Sequence, residues 1–186
     1  MPPDIVRLIS AQEYWTEKDY LALDESIGAW MIELVNYRLE IPTMPTMLHQ
    51  DIVKFLVLLL DAFVKAEEIG SVYFSPMPVH LFPGTFREPD IAFLKSHRIK
   101  DKRKPPEGAD LVMEIVSPKK SDRKRDFEDK RVDYAKAKIP EYWIIDPEEE
   151  AITVLTLSGK SYKVHGVFKP GDQASSKLLK GFKVAV

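Results

Sequence analysis

Two carboxylates carry the clearest chemistry in this sequence. Asp90 follows Pro89 and opens the apolar run Ile91-Ala92-Phe93-Leu94, and Glu114 stands inside the run Leu111 to Val116. Side chains alternate along a strand, so Glu114 shares a face with Val112 and Val116, while Leu111, Met113 and Ile115 take the other. A carboxylate buried among valines is costly unless a cation or a donor compensates it. If the two strands pair, both carboxylates converge at one end of a sheet, where hard oxygen ligands suit Mg²⁺ or Mn²⁺. Such an ion keeps positions for water and for a phosphate oxygen, which makes phosphodiester hydrolysis the natural reaction. The plain alternative is an ion pair or a capped acid at each position.

The elements that must position these groups follow from the flanking pattern. Asp110 to Val116 reads as a strand, Ser121 to Lys138 as a helix and Tyr142 to Ile145 as the next strand, a crossover that favours parallel pairing. Asp126, Lys130 and Tyr134 recur every four residues and so line one face of that helix. The same spacing also makes Asp126 and Lys130 an ordinary acid-before-base helical pair. Lys119, Lys120, Arg123, Lys124 and Arg125 cluster just after Glu114 with Asp122 opposing them. They form either a basic rim for phosphate contacts or a solvated surface.

Towards the N-terminus, Thr16-Glu17-Lys18-Asp19 reads as a capping box opening a short helix, and Trp30 to Ile41 as a hairpin. Thr46 to Ile69 reads as a long core helix closed by Gly70, with Ile52, Phe55, Leu56, Leu59, Leu60 and Phe63 at helical spacing. Val72-Tyr73-Phe74, Val79-His80-Leu81 and Asp90 to Leu94 read as strands between Pro and Gly turns. Ser96 to Gly108 is a polar loop. Ile152 to Leu157 and Tyr162 to Phe168 form an antiparallel pair about Ser158-Gly159, followed by a closing segment near Leu178 to Val186. Tyr142 and Trp143, inside an apolar strand, are sheet core rather than base-stacking residues.

Composition narrows the field further. The 186 residues, 45% hydrophobic and 30% charged, fit a single domain spanning 1–186 with a substantial core. The absence of cysteine excludes thiol nucleophiles, disulfides and Cys-based metal centres. A net charge of −2 argues against bulk electrostatic coating of nucleic acid, leaving any such contact to local patches. Phe55 to Leu60 is too short to span a bilayer and the N-terminus has no basic-then-apolar signal pattern, so no membrane role and a cytoplasmic location are expected. Ser117-Pro118-Lys119-Lys120 fits a Ser-x-x-Lys motif without its companion elements, and no Walker loop, Gly-x-Ser-x-Gly or His-Glu-x-x-His is present.

Arg87-Glu88-Pro89-Asp90-Ile91-Ala92-Phe93, Leu111 to Pro118 and Ile139 to Pro147 resemble the Uma2 family of restriction-type endonucleases within the PD-(D/E)XK nuclease superfamily. The likeness extends through Asp126, Lys130 and Tyr134, and to Tyr20 to Leu23, Glu33-Leu34 and the stretch Pro45 to Ile52 with His49. It implies an α/β, restriction-endonuclease-like fold, a mixed central β-sheet flanked by helices. It also implies a divalent metal, Mg²⁺ or Mn²⁺, and nucleic acid as substrate, DNA before RNA. Two residues after the second acid, where the wider superfamily has lysine, this chain has Val116. The resemblance hands that role to Lys130 on the following helix, although the chain is slightly longer than the family pattern between Ser117 and Asp126. Glu33 corresponds to an early family glutamate that would add a ligand to metal or water, or else is the polar member of an alternating strand. Asn36-Tyr37 replaces the usual Asp-Gly turn, and because Tyr adopts positive φ poorly a longer or different turn is expected there.

The reading is therefore a metal-dependent endonuclease with Asp90, Glu114, Lys130 and Glu33 as catalytic residues. Asp90, Glu114 and the Ile115 carbonyl would hold the metal. The five basic residues and His49 would face substrate, although capping or packing accounts equally for His49. A noncatalytic nucleic-acid-binding or regulatory protein on the same fold is the alternative. A homodimer formed through an exposed sheet edge is a third reading.

Overall fold

The computed structural model describes residues 14–27 and 31–186. Thr16 and Asp19 close a capping box at the head of α1 (Glu17–Ile27), each backbone N–H meeting the other's side-chain oxygen at 3.1 Å. A hairpin follows, β1 (Glu33–Val35) against β2 (Arg38–Glu40); Trp30, expected in it, lies outside the described residues. Its turn is the two residues Asn36 and Tyr37, both in left-handed backbone at φ 50° and 64°, where a longer or different turn was expected. Tertiary contacts hold Tyr37 in this left-handed backbone. Its N–H donates to Gly84 O at 2.9 Å, its carbonyl accepts from Trp15 N at 2.8 Å, and its ring stacks on Tyr14 with centroids 4.7 Å apart. A Cβ at Gly84 would lie 2.5 Å from that ring, so glycine is required beneath it.

Thr46 caps α2 (Met47–Ala66) by accepting from the His49 N–H. The helix ends in a Schellman motif, with Ile69 N donating to Val64 O and Glu68 N to Lys65 O, and with Glu68 at φ 54°. Gly70, expected to stop the helix, instead begins β3 (Gly70–Phe74), where a Cβ would fall 2.0 Å from Leu94 O. The core stripe is also rotated from expectation: Val53, Leu56, Leu60 and Val64 are buried, whereas Phe55 is 50% and Leu59 37% exposed. The run Phe55 to Leu60 is apolar all the way round, so spacing alone could not phase it.

β4 (Val79–Phe82) and β5 (Thr85–Arg87) turn about Pro83-Gly84 and join β1 and β2 in a four-stranded sheet of order β2-β1-β5-β4. This sheet is separate from the central one, and α1 packs on it through Tyr20, Leu34 and Phe86. The chain continues through β6 (Ile91–Lys95) and β7 (Leu111–Ile115) into α3 (Lys120–Lys124), a π-helical segment (Arg125–Asp129) and α4 (Lys130–Lys136). β8 (Glu141–Asp146), β9 (Ala151–Ser158) and β10 (Ser161–Phe168) follow, and a small pair, β11 (Gln173–Ser175) with β12 (Lys183–Ala185), closes the chain.

The central sheet has six strands in the order β10-β9-β8-β7-β6-β3. It is mixed: β7 and β8 run parallel, as their crossover requires, and the other neighbours pair antiparallel. α2 covers one face over Phe93, Met113, Trp143 and Val154. The second helical stretch covers the other, where Val112, Val116, Tyr134, Tyr142 and Ile144 pack together. The alternation read from the sequence thus puts Glu114 on the face beneath α4. No helix among the described residues is long and apolar enough to cross a membrane.

Candidate active site

Antiparallel pairing brings the two leading carboxylates together. Ile91 faces Met113 in the β6–β7 ladder, so one step further Asp90 reaches the level of Glu114. Both are buried, at 6% and 3% exposure. Asp90 Oδ2 accepts the Ile115 N–H at 2.8 Å and lies 3.1 Å from His49 Nε2. The Thr46 cap sets the first turn of α2, and that turn delivers His49 to Asp90.

Glu114 meets the helix. Lys130 Nζ is 2.8 Å from Glu114 Oε2, 3.6 Å from Glu33 Oε1 and 3.7 Å from Asp126 Oδ1, while the Tyr134 hydroxyl donates to Glu114 Oε1. Asp126, Lys130 and Tyr134 therefore share an inward face, as their four-residue spacing foretold. A π-helical segment, Arg125–Asp129, spans the turn between Asp126 and Lys130. The Lys130 N–H bonds to Arg125 O, five residues back, and so vacates the Asp126 carbonyl. The Tyr142 hydroxyl fills that carbonyl from β8 at 2.8 Å.

Glu33 arrives from the other sheet. It stands opposite Glu40 across the hairpin, a like-charge pair that is unfavourable by itself. Arg87 resolves it, with Nη1 2.8 Å from each glutamate, while Nε and Nη2 hold Asp133 of α4 at 3.0 and 2.7 Å. Arg87 is 1% exposed. No local pattern marks this role, because the partners of Arg87 lie 46 to 54 residues away. The one local hint was a cation in a strand immediately before Glu88-Pro89-Asp90.

Three carboxylates, Glu114, Glu33 and Asp126, surround one shared ammonium, and Asp90 stands level with Glu114 on the neighbouring strand. Burial pushes Glu114 up to about 8; Lys130 opposes this, and Asp90, Asp126 and Glu33 reinforce it. Burial likewise raises Asp126 against the pull of Lys130 and Arg125. Glu33 shifts the other way: burial disfavours its charge, but Lys130, Arg87 and the Glu88 N–H more than offset that and hold it below the carboxylate range. Burial also acts against the Lys130 charge, yet Glu114, Glu33 and Asp126 outweigh it and raise its pKa, so Lys130 is a fixed cation and not a base. Tyr134, raised by burial and by Glu114, stays a phenol donor.

The sequence pattern of the Uma2 family, described as "Putative restriction endonuclease", matches residues 18–186. The chain belongs to the Uma2 family. A crystal structure of a protein from Anabaena variabilis, described as "a putative nuclease belonging to DUF820", superposes on this Uma2 chain with a TM-score of 0.74. It shares 21% identity over 91% of this chain and 94% of that one, which establishes the fold. No curated protein matches the sequence.

The basic cluster of the Uma2 chain divides in two. Arg123 chelates Asp146 at 2.9 and 2.6 Å, and Arg125 bonds Asp122 at 3.0 Å and Asp126 at 3.4 Å, so both are engaged within the protein. Lys119, Lys120 and Lys124 are exposed. Asp122 in turn accepts from Thr43 at 2.8 Å, tying the segment before α2 to α3.

Proposed function

We propose that this Uma2 protein is a metal-dependent endonuclease that hydrolyses phosphodiester bonds in DNA, with Asp90 and Glu114 as its paired acids. The observation that carries this reading is the charge imbalance of the pocket. Three buried carboxylates, Glu114, Glu33 and Asp126, share Lys130, and burial together with the charges of Asp90, Asp126 and Glu33 pushes Glu114 up to about 8 against the pull of that lysine. The donor set fits a hard divalent ion. Among the described residues no three His, Asp or Glu side chains form a ready ligand cage. Mg²⁺ needs none, since it takes one or two carboxylates and keeps water and substrate phosphate. Asp90, Glu114 and the Ile115 carbonyl would hold Mg²⁺ or Mn²⁺, with Glu33 nearby as a further acid. When bound, the cation supplies Lewis acidity and a more acidic water.

The chain's own residues do the rest. The Ile115 N–H and His49 fix the Asp90 carboxylate, and Tyr134 fixes Glu114. Lys130, permanently charged, stabilises the negative charge that develops on phosphate, so it acts by electrostatics and not by proton abstraction. Arg87 locks Glu33 and α4 into one frame. Exposed Lys119, Lys120 and Lys124 contact the phosphate backbone, while Arg123 and Arg125 shape the rim from within.

The test is a plasmid nicking assay with Mg²⁺ or Mn²⁺, run beside calorimetric Mn²⁺ titration. Wild type should bind metal and nick DNA, and Asp90→Asn should lose nicking by at least about 100-fold while keeping its circular dichroism. Metal binding without cleavage of DNA or RNA supports the noncatalytic alternative. Undiminished cleavage by Asp90→Asn removes Asp90 from the site.

A further inference from the structure

The outward face of α2 is apolar and bare. Met47 is 85% exposed, Leu48 60%, Phe55 50%, Leu58 63% and Leu59 37%. With Met44 beside the helix start, the patch is on the order of 600 Å², the upper end of what a monomer leaves to water and a large share of the roughly 800 Å² each partner gives a standard interface. Along its centre Met47, Asp51, Leu58 and Lys65 recur at three- and four-residue intervals or their sums, the seam spacing of paired helices.

We propose that this face binds the same face of a second copy of this chain, the two α2 helices running antiparallel about a two-fold axis at Leu58. The charges select that occupant and that direction. Asp51 and Lys65 each lie seven residues from Leu58, on opposite sides and on the same helix face. An antiparallel two-fold places the Asp51 of each copy opposite the Lys65 of the other, twice over, whereas a parallel pair sets acid against acid and base against base. Lys65 pairs with Asp61 on its own helix at 2.6 Å, but its side chain is 74% exposed, so its ammonium is open to a second carboxylate from the other copy. Of the two outer strands of the central sheet, β10 is a poor edge for pairing, because its register breaks between Val164 and Gly166.

Sedimentation of the full chain, with circular dichroism as the folding control, tests the proposal. Wild type should be dimeric at micromolar concentration. Asp51→Lys and Lys65→Asp should each weaken the dimer at least tenfold, and the double variant should restore it to within a few-fold. Because the chain has no cysteine, Leu58→Cys should form an intermolecular disulfide under mild oxidation while Leu48→Cys, ten residues from the axis, should not. A wild type that stays monomeric at 100-fold higher concentration, as when another part of the chain covers the face, overturns the proposal. So does a double variant no better than the singles, or equal crosslinking at both positions.

Discussion

Two buried glutamates sit on neighbouring parallel strands at opposite ends of their ladder, and they are handled in opposite ways. Glu141, level with Leu111, opens β8, and Glu114, level with Ile144, nearly closes β7. Glu141 accepts from Trp143 Nε1 and Ser176 Oγ on one oxygen and from the N–H groups of Lys177 and Leu178 on the other, all at 2.6 or 2.7 Å. Every donor is neutral and fixed, and the three from residues 176–178 pin the C-terminal segment to the sheet. Glu114 has one hydroxyl and a lysine shared with two further acids. Burial alone therefore does not separate a structural carboxylate from a chemical one; the partners do. Neutral donors close a site, whereas crowded acids around one cation leave charge for a ligand to neutralise.

The largest expected effect breaks the closed end. Glu141→Ala strands four donors, two of them buried, and should cost about 3 kcal/mol of stability, read from urea unfolding. Added Mn²⁺ should recover none of it, and the folded fraction should keep its cleavage rate. Lys130→Ala attacks the crowded end instead. Glu114, Glu33 and Asp126 lose their common cation, so the metal-free protein should fall by about 2–4 kcal/mol. Here millimolar Mn²⁺ should return a measurable part of the loss, while turnover stays low because the electrostatic partner of the phosphate is gone. Equal metal rescue of the two variants would erase the distinction between the ends.

How far the sequence reached follows the same division. Glu114 on the helix-covered face, its parallel crossover and the inward line of Asp126, Lys130 and Tyr134 were all legible, because strand alternation and helical spacing are local. Arg87 was not, since its value depends on Glu33, Glu40 and Asp133 from distant segments. Gly70 and Tyr37 misled for a related reason. Each carries a local signal, a helix stop and a poor turn residue, that a non-local contact overrides, Leu94 in one case and Gly84 with Tyr14 in the other. The outward phase of α2 was illegible because its apolar run has no polar side to orient it.

The pH dependence sharpens the comparison at a smaller scale. Glu114 titrates near 4.5 when unfolded and near 8 in the fold, so between these values the folded chain holds a proton that the unfolded chain has released. Its contribution is complete below pH 4.5 and is lost as pH rises towards 8, with a slope of at most about 1.4 kcal/mol per pH unit. Asp126, also raised, acts with the same sign. Unfolding free energies of metal-free protein at pH 5.5, 6.5 and 7.5 should therefore fall, and Glu114→Gln should flatten the trend. A slope unchanged by that substitution would place the proton elsewhere.

Tyr134→Phe gives the smallest and most specific effect. The hydroxyl donates to Glu114 Oε1 and so favours the ionised carboxylate. Removing it should cost about 1 kcal/mol of stability but should also carry the Glu114 midpoint further above 8. At pH 7 more of the carboxyl then holds a proton, and Mn²⁺, which must displace that proton, should bind several-fold more weakly, with the deficit closing as pH is raised. Trp143→Phe removes the corresponding donor from Glu141, and it should lower stability without altering metal affinity at any pH. A matching loss of stability with no change in the pH dependence of Mn²⁺ binding would mean that Tyr134 serves Glu114 as Trp143 serves Glu141, as packing with a hydrogen bond, and the two ends of the ladder would differ only in crowding.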